Sequence, residues 1–205
     1  MGALALFAVF AADLLLHGPI TSIDPAISGW LHAHMQSWAT AFLFLFTYVH
    51  STIGLVVMSA AVAVLLAANK RIAMVPWLVL TVQGGQVLNV LVKDAFQRAR
   101  PHFDDPVVTL ATYSFPSGHA AGSTVFWGFV CVLAWSWPAR DPVRRALAII
   151  APLMIAFTAF SRVYLGAHYF SDVLAGISEG VAWVCTCVTI FYRTTAPRRS
   201  PSRGA

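Results

Sequence analysis

The chain has 205 residues, 59% of them hydrophobic and only 10% charged, with a mean hydropathy of +0.73. Soluble domains carry about 25% charged residues, so the composition excludes an ordinary water-soluble globule and makes the bilayer the natural solvent. The formal net charge is +5, but the basic residues are scattered between apolar runs and form no stripe, which argues against nucleic acid as a partner.

A spanning helix needs about 20 mostly apolar residues. Six runs meet or approach that length: 1–16, 40–68, 72–92, 120–138, 146–160 and 170–192. The first is short and lacks the positive start of a signal peptide, and the runs that follow it point to a multispanning protein. Between the first two lies a mixed stretch, 17–39, with Pro19, Pro25, Trp30, His32, His34 and Trp38. It predicts a short amphipathic helix on the membrane surface. His32 and His34 cannot chelate from one helix face and read as solvated or headgroup-facing. Cys131, Cys185 and Cys187 sit inside apolar runs as small hydrophobes. No Cys/His group has zinc-ligand spacing.

Lys and Arg in the connections set orientation. Nine of the thirteen lie on one side: Lys70, Arg71, Arg140, Arg144, Arg145, Arg193, Arg198, Arg199 and Arg203. That side is cytoplasmic by the positive-inside rule. Lys93, Arg98, Arg100 and Arg162 fall on the other. The expectation is an all-α bundle of six spans, 1–192, followed by a disordered cytoplasmic tail, 193–205.

The chemistry-bearing residues gather on the outer side. Lys93, Arg100 and Arg162 can neutralise a phosphoryl group, work often done by a metal; the plainer reading is headgroup anchoring, which is the one taken for Arg98. Pro116-Ser117-Gly118-His119 precedes the fourth span. It supplies a turn, a hydroxyl donor, a close backbone approach and a helix start suited to an anion. His119 is placed there to protonate a leaving oxygen; alone, the tetrapeptide is equally an N-cap turn. His168 and Asp172 are four residues apart, on one face if the sixth span begins near His168. A carboxylate there can take the Nδ1 proton and leave Nε2 free, making His168 a nucleophile candidate; alone, the pair also reads as an interfacial His and a capping Asp. Gln86 and Asn89 share a face with Lys93 and read as polar contacts between helices or as cavity lining. Glu179 lies seven residues after Asp172, as a buried partner or near the cytoplasmic end. Asp13, His102, Asp104 and Asp105 read as interfacial or loop residues.

Taken jointly, Lys93-x6-Arg100-Pro101, Pro116-Ser117-Gly118-His119 and Ser161-Arg162-x5-His168-x3-Asp172 resemble the signature of the type 2 phosphatidic acid phosphatase family. All eleven signature positions match. The resemblance implies a membrane lipid phosphatase that uses no metal or cofactor. Lys93, Arg100, Ser117, Gly118, His119 and Arg162 would hold the phosphate. His168 would attack it, Asp172 would support His168, and His119 would act as acid and then base. The implied substrate is a phosphate on a bilayer lipid: phosphatidylglycerophosphate or phosphatidic acid first, undecaprenyl diphosphate or lipid A as alternatives. In a bacterium this places the protein in the inner membrane with its site facing the periplasm. A transporter or channel is the remote alternative, supported by Gln86, Asn89 and Glu179. It is disfavoured because the cations and histidines gather at one face instead of at the midplane.

Overall fold

The computed structural model describes residues 1–136 and 141–195, and every element in it is helical. In chain order these are α1 (Gly2–Leu15), α2 (Pro19–Ser22), α3 (Asp24–Ala33), α4 (Ser37–Val49), α5 (Thr52–Ala68), α6 (Val75–Phe96, led in by one 3-10 turn), α7 (Gly118–Ser136), α8 (Asp141–Tyr164) and α9 (Phe170–Thr195). Arg140 and most of the tail expected to be disordered lie outside the described residues. Residues 193–195 belong to α9, so any tail starts later than 193.

Four helices, α6 to α9, are long and apolar enough to cross a membrane singly. Two bent pairs bring the crossings to as many as six: α1 with α2–α3 at 62°, and α4 with α5 at 51°. The expected six-span bundle is thus all-α, but its first two spans are broken. The run 40–68 breaks at His50 and Ser51. There the Ser51 Oγ accepts from the Gly54 N–H at 3.2 Å and caps a new helix. The first run ends at His17, which has a left-handed backbone (φ 51°). Beyond it, the Asp13 carboxylate accepts from the Ile20 and Thr21 N–H groups at 3.2 and 2.7 Å. Asp13 is therefore a helix-capping residue and not a loop acid.

α7 is the axis of the bundle, packed by α6, α8 and α9. Its first turns are built from Ala120, Ala121, Gly122, Ser123 and Thr124, all buried. Small residues let membrane helices approach closely. At Gly176 of α9 a Cβ would stand 2.5 Å from the Ser117 carbonyl oxygen, so any side chain there would push α9 off the start of α7. Outward faces carry Leu65, Val87, Leu91, Ile149 and Leu153, all exposed, the pattern of helices solvated by lipid.

Candidate active site

The three sequence motifs converge at one end of the bundle, each placed by a helix terminus. α6 ends after Lys93 at Gln97, whose left-handed backbone (φ 48°) starts the 97–117 loop. The loop returns to α7 through Ser114, Phe115, Pro116 and Ser117, all fully buried or nearly so. α8 ends in a tight turn: Gly166 has φ +67°, and the Ala167 and His168 N–H groups both donate to the Arg162 carbonyl at 3.0 and 3.2 Å. Because those amides close the preceding helix, His168 stands in the turn before α9 and not on its face. Asp172 lies in the first turn of α9.

His168 is 2% exposed and Asp172 is not exposed at all. The His168 Nδ1 to Asp172 Oδ2 distance is 3.6 Å, too long for a hydrogen bond. Ser114 occupies the gap. Its Oγ donates to Asp172 Oδ2 at 2.5 Å and stands 3.5 Å from His168 Nδ1. The carboxylate also accepts from the Tyr169 N–H at 2.9 Å and from Arg98 Nη1 at 2.5 Å.

The other ring nitrogen identifies the tautomer. Arg100 Nη1 lies 3.1 Å from His168 Nε2. A guanidinium only donates, so Nε2 carries the lone pair and Nδ1 the proton. The remaining Arg100 donors reach the Ala167 carbonyl, the Thr112 carbonyl and hydroxyl, and the Tyr113 carbonyl, at 2.6 to 2.9 Å. Burial first, and then the fields of Lys93, Arg100 and Arg162, hold the His168 ring well below the ordinary imidazole range. The ring is therefore neutral near pH 7, as a nitrogen nucleophile requires.

Lys93 does not project into open space. Its ammonium donates to the Tyr113, Ser114 and Pro116 carbonyls at 3.1, 3.3 and 2.5 Å. Three donors meet three acceptors, so the lysine fastens the loop segment leading into Ser117. Gly118 packs on the same elements: a Cβ there would stand 2.9 Å from Asn89 Oδ1. Among the described residues, Ser117 Oγ and Arg162 Nε are buried and have no hydrogen-bond partner, which makes both candidates for an anion. The Arg162 guanidinium donates from Nη1 to Thr47 Oγ1 at 3.2 Å. Arg162 and His119 line one cavity of about 420 Å³ with Thr47, Tyr48 and Ser51 at the α4–α5 break and with residues 107–110 of the loop. His119 stands in the first turn of α7, where free amide N–H groups favour an anion. Among the described residues, no three His, Cys, Asp or Glu side chains come together as metal ligands.

Several residues depart from their sequence reading. Arg98, expected at the headgroups, is 12% exposed; it pairs with Asp172 and, through Nη2, with Asp24 Oδ2 at 2.8 Å. The Tyr169 ring covers it at 4.3 Å. Asp24 and Ser114 carried no sequence signal. Asn89 and Glu179 bind each other across α6 and α9 at 2.8 Å. His32 is also engaged, pairing with Asp105 at 2.8 Å and stacking on Phe103.

Residues 74–196 match the PAP2 superfamily. Phosphatidylglycerophosphatase B of Bacillus subtilis is 29% identical over 183 residues, which cover 87% of this chain and 88% of that protein. A lipid A 1-phosphatase of Rhizobium etli is 37% identical over 125 residues, 57% of this chain and 49% of its own. The crystal structure of the transmembrane PAP2 type phosphatidylglycerolphosphate phosphatase from Bacillus subtilis superposes with a TM-score of 0.83. It is 26% identical, covering 96% of this chain and 98% of that one.

Proposed function

The chain belongs to the PAP2 superfamily, and from that premise we propose that it is a membrane phosphatase that hydrolyses a lipid phosphomonoester through a phosphohistidine on His168, without a metal. The observation that carries this reading is the Arg100 contact to His168 Nε2. It leaves a neutral ring with its lone pair at the meeting point of three cationic fields. Nε2 forms a bond to phosphorus while the bond from phosphorus to the lipid oxygen breaks. His119 gives a proton to that oxygen and then takes one from the water that cleaves the phosphohistidine.

The binding roles divide by geometry. Arg162 and Ser117 hold unspent donors for the equatorial oxygens, and Gly118 leaves room for the backbone of the α7 turn to approach them. Arg100 exchanges its contact with Nε2 for the phosphate. Lys93 contributes its field and the shape of the 113–117 segment. Asp172, relayed through Ser114, steadies the Nδ1 proton as the ring gains charge.

Similarity over nearly the whole chain to the Bacillus subtilis phosphatase favours phosphatidylglycerophosphate or phosphatidic acid as substrate. The 125-residue likeness to a lipid A phosphatase favours a second reading, a saccharide-linked lipid phosphate. The lysine and arginine asymmetry favours a site on the outer face of the membrane, and the likeness to bacterial lipid phosphatases favours a bacterial cytoplasmic membrane. The test is phosphate release by the detergent-purified protein on a panel of these lipids, with EDTA present. His168→Ala should lose several powers of ten in turnover, and rapid quench of the wild type should trap an acid-labile phosphoenzyme. Turnover that survives in His168→Ala, or that needs added magnesium, overturns the mechanism.

A further inference from the structure

Behind His168 and Asp172 a buried chain of charge continues to Arg98 and Asp24, two residues that the phosphatase reading does not use. Asp24, in the first turn of α3, is completely buried. Its Oδ1 accepts from the Ser171 N–H at 3.0 Å, and its Oδ2 is bonded to the Ser171 hydroxyl and to Arg98 Nη2. Arg98 Nη1 in turn reaches the Ser171 hydroxyl at 2.7 Å and Asp172 Oδ1 at 2.5 Å. One guanidinium thus sits between two carboxylates, with Tyr169 over its face. A buried charge survives only when compensated. Within this chain of contacts Arg98 is shared by two carboxylates, and Lys93 and Arg100 also act on Asp172.

How far Asp172 is neutralised matters for the ring beside it. If Arg98 faced Asp172 alone, the pair would be neutral and the carboxylate would be drawn away from the Ser114 relay. Asp24 competes for the same cation from the opposite side. We propose that Asp24 is a positioning residue for the reaction: by sharing Arg98 it leaves the Asp172 carboxylate only partly neutralised by that cation, so that its field reaches His168 Nδ1 and the ring can gain charge as Nε2 bonds to phosphorus. Asp24 contacts neither the ring nor the cavity that holds His119 and Arg162. It acts through Arg98 and Asp172, and it ties the α3 helix, outside the three motifs, to the reacting histidine.

This inference rests on His168 being the nucleophile, and the experiment separates the two claims. Asp24→Asn, Arg98→Gln, their double variant and His168→Ala are purified in detergent, normalised to folded protein by thermal melting, and assayed for kcat, KM and inhibition by inorganic phosphate. Asp24→Asn should lower kcat about 10- to 100-fold, by analogy with the loss when hydrogen-bond partners that orient metal-bound histidines are removed. Its KM and phosphate inhibition should stay within about twofold, because the phosphate-facing cations are untouched. The double variant restores a lone negative Asp172, so it should exceed both single variants in kcat. That recovery is what a merely structural ion pair does not produce once folded protein is normalised. If Asp24→Asn does not fold, the comparison of Arg98→Gln with the double variant carries the same test. A dead His168→Ala beside an Asp24→Asn enzyme with normal kcat overturns the role of Asp24. So does a double variant no better than the worse single one. An active His168→Ala overturns the nucleophile, and the role of Asp24 with it.

Discussion

Replacing Ser114 by alanine removes one oxygen from the middle of the His168–Asp172 pair. The loss is worked from three distances: 2.5 Å from Ser114 Oγ to Asp172, 3.5 Å from Oγ to His168 Nδ1, and 3.6 Å between ring and carboxylate. A hydrogen bond to a charged group contributes about 1.5–3 kcal/mol, which is about 10- to 150-fold in rate if the bond is needed at the transition state. The carboxylate keeps Arg98 and the Tyr169 amide, so it stays in place but stands too far from Nδ1 to accept from it. Ser114→Ala should therefore lose about 10- to 150-fold in kcat/KM, while Asp172→Asn, which removes the charge itself, should lose more. The assay is steady-state phosphate release from a short-chain phosphatidic acid in detergent, with melting temperatures as the fold control. A folded Ser114→Ala enzyme within twofold of wild type refutes the relay. So does one that loses as much as Asp172→Asn.

His119→Ala should lose far more activity on an alkyl phosphate lipid than on an aryl phosphate with an acidic phenol, because the second leaving group needs little proton donation. The burst of released phenol measures this, and an equally suppressed burst would make His119 a binding group instead of an acid. His168 is held below its ordinary range, first by burial and then by Lys93, Arg100 and Arg162. The unfolded chain therefore takes up a proton that the folded state refuses, and stability should fall as pH drops below about 6.5, by up to ~1.4 kcal/mol per pH unit from this group. Melting in detergent at pH 7 and pH 5 should show a steeper loss in wild type than in His168→Gln, and equal slopes would contradict it. Single cysteines at Asp104 and Ser202, in a background without the three native cysteines, should label from opposite sides of sealed vesicles. Labelling of position 104 from the cytoplasm alone would invert the orientation.

Local signals in the sequence carried much of this architecture. Apolar runs of spanning length located α6 to α9 because a helix in lipid must satisfy its own backbone. Motif spacing brought Lys93, Arg100, His119, Arg162 and His168 to one end of the bundle because each lies at a helix terminus there or in a loop that leaves one. The end of the first run near His17 was legible from Gly18 and Pro19, whereas the break at His50 was hidden because a single apolar run, 40–68, passes through it. The groups around Asp172 were hidden for a different reason. Arg98 pairs with residues 74 positions away in either direction, and Asp24 meets Ser171 across 147. No periodicity links such positions. Arg98 reads as an interface anchor until the loop folds it inward, and Ser114 reads as one more loop serine.

The Arg100 contact to Nε2 gives the resting protein a selectivity that no pocket wall supplies. All five guanidinium donors are occupied, and one of them screens the only lone pair on the ring. A neutral electrophile among the abundant lipids around the site offers Arg100 nothing in exchange and meets a nitrogen already in use. A phosphate offers the guanidinium an anionic oxygen in place of a neutral nitrogen, a stronger partner, and in the same movement would uncover Nε2. On the proposed mechanism His168 is thus released by the charge of its substrate, so discrimination precedes chemistry. The same exchange makes inorganic phosphate, small and fully charged, a natural competitor for the site it has just left.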